Sequence, residues 1–168
     1  MKINNAGLVL LQSLLPSYFI KNRWLRPNLD LLKSNVCQYQ AVLCLQYMTR
    51  SEDVGSGEDL SLNNLLCGLS AAEKHRKVNS ITPEETQVVN DFLQTCMAYW
   101  PEEKTKSVED FRKKWLVREG LLKECPNHWE LLVTNRPNDK LLTQSPFSFS
   151  TIQFPWMPKP LHVTWPTT

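Results

Sequence analysis

"GLLKECPNHWELLVT", residues 120–134, is where the chain changes its period. Trp129, Leu131 and Val133 alternate with His128, Glu130, Leu132 and Thr134, the two-residue repeat of a strand with one buried face. The segment Gly120 to Cys125 can fold back onto it through a turn at Pro126-Asn127, so the stretch predicts a hairpin. Downstream, "LLTQSP" (141–146) reads as a connector and "FSFSTIQF" (147–154) alternates as a third strand.

Upstream of Gly120 the apolar spacing is helical. Asn4 and Asn5 are candidate caps for a helix starting near Ala6, with Leu8, Leu11, Leu15, Tyr18 and Phe19 on one face and Pro16 expected to kink or divide it. A second helix is predicted from about Ser34 to Arg50, its apolar stripe broad enough for burial on more than one side. "SEDVGSGED" (51–59) reads as a loop. "LSLNNLLCGLS" (60–70) follows as a short apolar segment with Ser61 available as its cap and Gly68 at its end. Thr82-Pro83-Glu84-Glu85 is a strong helix start, a capping threonine with glutamate three residues on, and predicts a helix running to Trp100. Ser107 starts another, with Phe111, Trp115 and Leu116 on one face and Gly120 at its end. Helices first and a small antiparallel sheet last make an α+β protein. The expected organisation is one domain over 1–168, helical over about 5–118 and β-rich over about 120–165, because no linker or repeat divides it.

The segment "FPWMPKPLHVTW", residues 154–165, closes the chain with two tryptophans and three prolines. Proline at 155, 158 and 160 excludes a helix and suits an extended strap on the edge or face of the domain. Its aromatic residues are expected either to complete the core or to face a partner, since tryptophan is enriched in interface hot spots.

Composition narrows the function. A net charge of +2 from 19 basic and 17 acidic residues leaves too little excess to neutralise many phosphates, so nucleic acid is not an expected partner. No run approaches the roughly 18 apolar residues needed to span a bilayer. The opening "MKINNAGLVLLQSLLPSYFI" lacks a small-x-small cleavage site. A soluble chain made in the cytoplasm, without direct membrane insertion, is expected. The five cysteines, at 37, 44, 67, 96 and 125, include no C-x-x-C pair, which points to free thiols in a reducing compartment, those at 37, 44, 67 and 96 serving as small apolar side chains. His75, His128 and His162 are read as having no metal-ligand partner at ligand spacing within their own elements, with His128 an exposed strand-edge residue. Five glycines form no phosphate-cradling loop. These readings predict no catalytic residue, no metal and no cofactor. The basic clusters "EKHRK" (73–77) and "FRKKW" (111–115) are either solvated helix ends or patches for an acidic protein surface.

Four stretches, "NAGLVLLQSLLPSYF" (5–19), "LSLNNLLCGLS" (60–70), "SVEDFRKKWLVREGLL" (107–122) and "FSFSTIQFPWMPKPLHVTW" (147–165), resemble, in order, successive blocks of the contractile injection system tape-measure protein family. Two small departures are Asn64, where the family tends to have lysine, and Gln12-Ser13, which interrupts the first block. Members of that family are long chains in which these blocks lie near the C-terminus, whereas here they begin at residue 5. Even fully helical, 168 residues reach only about 250 Å at about 1.5 Å per residue. The resemblance therefore implies the family's globular module rather than its ruler. It implies a non-enzymatic structural component that acts as an adaptor, plug or cap-associated piece at an end of the inner tube. Its partners would be inner tube, cap or terminator, or baseplate subunits, met by several copies in a symmetric assembly. Trp156, Met157 and Trp165 of the strap are the candidate partner-binding residues, with Arg76 and Lys77 at the rim. The alternative is an assembly factor or cargo-loading chaperone that is absent from the finished particle.

Overall fold

Local signals in the sequence act at the start of some of the helices. The structure, a computed structural model, describes residues 1–26, 34–50, 59–74, 81–100, 107–145 and 148–167. Asn35–Arg50 forms α2 and Pro83–Ala98 forms α4. The α4 start is a complete capping box: the Thr82 hydroxyl accepts from the Glu85 amide at 3.1 Å, and the Glu85 carboxylate accepts from the Thr82 amide at 2.9 Å. Pro16 divides the first apolar block rather than kinking it. Ala6–Leu11 is a fully buried 3-10 helix, and Leu15–Lys21 is α1, with Pro16 in its first turn where its missing N–H costs nothing.

Ser61–Leu66 forms α3, and Gly68 behind it takes φ +81, a left-handed turn that glycine adopts freely. Val108–Phe111 forms α5, begun by the Ser107 hydroxyl accepting from the Asp110 amide. It continues as a π-helical turn over Arg112–Leu116. This widened turn lies against Gly7, where an added Cβ would run into the Trp115 carbonyl and the Leu116 backbone.

The sheet has five strands in the order β1-β2-β3-β5-β4. β1 is Lys2–Ile3, β2 is Gly120–Glu124 and β3 is Trp129–Val133, while β4 is Thr151–Ile152 and β5 is Leu161–Thr164. β2 and β3 form the predicted hairpin, closed by the Cys125 amide donating to the His128 carbonyl at 2.9 Å. The inner face, including Leu122, Trp129, Leu131, Val133, Leu161 and Val163, is buried, and its side chains join those of the helices in one apolar cluster. The architecture is α+β, as the change of period predicts.

The structure corrects the sequence reading in several details. The sheet is mixed rather than wholly antiparallel, because β5 runs parallel to β3, with Trp129 beside Leu161 and Leu132 beside Thr164. The strap places its last four-residue stretch between β3 and β4, so it enters the sheet instead of lying along an edge. The N-terminus supplies an edge strand that two residues could not announce. Among the described residues of the expected third strand, Thr151–Ile152 forms β4 and pairs with β5. Gly120 opens β2 instead of ending a helix, since the π-helical turn stops at Leu116. Asn5 occupies the N-cap position of the 3-10 helix, but its side chain makes no capping bond: its amide donates to the Asn63 side chain at 2.6 Å in the interior. Ser61 is no cap; its own amide is held by Asp59 at 2.9 Å. The connector holds a 3-10 helix, Asp139–Gln144.

Candidate functional site

The strap and the α3 block, 90 residues apart in sequence, meet at a hydrogen bond. The Trp156 indole N–H donates to the Leu66 carbonyl at 2.8 Å, and its ring packs against Phe19 at 5.7 Å and stacks on Phe154 at 4.8 Å. A Cβ at position 68 would sit 2.6 Å from the Trp156 carbonyl, so the glycine also permits this approach. The strap then turns, with the Met157 amide donating to the Phe154 carbonyl at 2.9 Å. Lys159 fastens it to the hairpin turn by donating to Glu124 at 3.0 Å and to the Cys125 carbonyl at 3.1 Å.

Between the strap and the segment following α3 lies an open cleft of about 410 Å³. Leu65, Leu69, Ala71, Trp129 and Met157 give it apolar walls, and Glu124 and Lys159 add a charged pair at one side. Asn64 shapes the wall after α3: its side-chain amide donates to the Ala71 and Glu73 carbonyls, each at 3.2 Å. A cleft of this kind offers shape and apolar contact but no convergent set of reacting groups.

A second construction anchors the far end of the strap. Arg118 and Asp139 form a bidentate ion pair with both bonds at 2.7 Å, their side chains only 2% and 1% exposed. The guanidinium lies 5.2 Å from the Trp115 ring centre and 5.3 Å from that of Trp165. Trp165 also donates its indole N–H to Asp139 at 2.8 Å, and the Arg136 amide donates to the same carboxylate at 2.8 Å. Burial pushes the Asp139 carboxyl up, but the bonds from Arg118, Trp165 and Arg136 outweigh it and hold the group below the usual carboxylate range.

The sequence-predicted residues fall in different settings. Trp156, Met157 and Trp165 are 5, 6 and 7% exposed, so in the isolated chain most of their surface is already covered. Met157 lines the cleft, whereas Trp156 and Trp165 are held by separate partners. Arg76 and Lys77 lie outside the described residues. From the second basic cluster, Arg112 is buried rather than solvated, donating to the Met48 carbonyl at 2.9 Å and to Asn90 at 3.1 Å. Burial pushes the Cys44 thiol up to about 12, with Glu85 adding to the effect. Burial alone raises Cys96 to about 12, and Cys67 is also driven well above the ordinary thiol value by burial. These three are poor nucleophiles.

The contractile injection system tape measure protein family matches residues 1–165. The chain belongs to that family. No curated protein and no solved structure matches it. As a member of the tape measure family it is a structural component of a contractile injection system. Two blocks of the family resemblance, around Leu66 and around Trp156, are those that the indole-to-carbonyl bond joins, and the cleft lies between them. Among the described residues no helix is long and apolar enough to cross a membrane.

The reading of the histidines missed one neighbourhood. His128 belongs to an interior strand end rather than a sheet edge, and its ring nitrogen is 3.1 Å from Glu130. Cys125 stands three residues before His128, across the hairpin turn. That C-x-x-H spacing is the signal in the sequence, and it spans the turn between two strands rather than a single element.

Proposed function

We propose that this tape measure family module works as a docking piece, an adaptor, plug or cap-associated component at an end of the inner tube, present in several copies. The observation that carries the reading is the apolar cleft between the two family blocks, which offers a partner segment about 410 Å³ of recess walled by Leu65, Leu69, Trp129 and Met157. Met157 would touch the partner directly. Trp156 and Trp165 would contribute by holding the strap in one geometry, which lowers the ordering cost of binding. Arg76 and Lys77 are retained as rim residues, where charge steers association more than it adds affinity. The partner is another tail protein, from the tube, cap or baseplate.

A single substitution in the cleft tests this. Leu69 is half-buried on the cleft wall, at the margin of the apolar cluster, so Leu69→Glu places a charge in the recess without removing a fully buried side chain. We expect near-normal circular dichroism and loss of the protein from purified sheathed particles. Unchanged incorporation of a folded Leu69→Glu protein would overturn the docking role of the cleft.

A further inference from the structure

On the outer face of the sheet, ligand atoms of Cys125, His128 and Glu130 all lie within 4.8 Å of one another. The hairpin places them there. The Cys125 amide donates to the His128 carbonyl, closing a four-residue turn that brings the thiol and imidazole to the same end of the ladder. Glu130 follows two residues later on the same outward face of β3, with its carboxylate 3.1 Å from the His128 ring nitrogen. His162 faces the same way from β5, at the register position opposite Glu130, and its ring sits edge-on to His128 at 4.9 Å. Three residues with N, S and O donors thus converge at the hairpin turn, and a fourth, His162, stands beside them on the neighbouring strand.

We propose that Cys125, His128, Glu130 and His162 form a binding site for a zinc-type divalent transition metal ion. Thiolate, imidazole and carboxylate are the donors such an ion takes in tetrahedral sites. Ligand atoms about 2.1 Å from a central ion stand about 3.5 Å apart, and those of Cys125, His128 and Glu130 already lie within 4.8 Å of one another, with His162 the fourth ligand once its ring turns toward them. His162 has little to give up in turning, since its contact with the Thr151 hydroxyl is 3.5 Å long. The site is accessible, Cys125 and His128 being half-buried and Glu130 and His162 exposed, so an ion can enter from solvent. Two cations stand nearby: Lys159 is engaged with Glu124, and Lys123 lies beside Glu130 in the β2–β3 register. On binding, the Cys125 thiol releases its proton to solvent and the thiolate and carboxylate balance the dication. The ion then ties the hairpin turn to the last strand, stapling β5 into the sheet.

The test uses Co²⁺ as a spectroscopic probe and Zn²⁺ as competitor on the full chain. One equivalent of Co²⁺ is expected to give tetrahedral visible bands with a thiolate charge-transfer band, both removed by Zn²⁺. Cys125→Ser should lose the charge-transfer band, and His162→Ala should bind at least about tenfold more weakly. Zn²⁺ should raise the melting temperature of the parent protein and not that of Cys125→Ser. Circular dichroism of both variants should match the parent, because these positions lie outside the apolar cluster. No stoichiometric Co²⁺ spectrum, or a charge-transfer band that persists in folded Cys125→Ser, would overturn the site.

Discussion

At the scale of single residues, the most consequential group is Asp139, which accepts from Arg118, Trp165 and the Arg136 backbone at once. Its folded-state pKa is lowered, so its stabilising contribution is complete above the unfolded carboxyl value of about 3.9 and is lost as pH falls through the lower folded value. Arg118→Ala would leave a buried carboxylate without its main partner, and a loss of about 3–5 kcal/mol is expected from denaturant titration near neutral pH. The same variant should lose less stability on acidification than the parent does; an identical acid profile would show that the pair does not govern it. None of this was legible beforehand, because Arg118 and Asp139 stand 21 residues apart and each reads as an ordinary surface charge. Thr82 and Glu85, by contrast, complete their bond within one turn, and the sequence contains everything needed to predict it.

Elements divide along the same line between local and distant pairing. The hairpin of β2 and β3 follows from alternation and a turn between adjacent segments. The parallel pairing of β3 with β5 joins residues 32 apart in register, and no local pattern encodes it. The cleft has the same origin, since its walls come from α3, the hairpin and the strap. The sequence left open whether the strap's aromatic residues complete the core or face a partner. The strap's tryptophans belong to the apolar cluster, and its Met157 borders the recess. Trp156→Ala removes a large side chain that is 5% exposed, together with a bond to the Leu66 carbonyl, so a loss of about 3–5 kcal/mol in stability is expected. Its defect in particle incorporation would follow from unfolding. A Trp156→Ala protein as stable as the parent would mean that the strap is not part of the core and acts only as a surface for partners.

For the whole molecule, the family match covers residues 1–165, and widely separated blocks of the sequence share one apolar cluster. We propose that the chain folds as one unit around its apolar cluster, and the docking account adds that this unit presents its cleft to a tail protein. Symmetry at the ends of a tube multiplies such a contact, so the copy number should be fixed and low. The most direct measurement is to image sheathed particles purified from cells carrying a labelled version of this protein. The account predicts labels at one end of each particle, at constant stoichiometry. Particles that assemble fully and carry no label would contradict it and mark the protein as an assembly factor that leaves before completion.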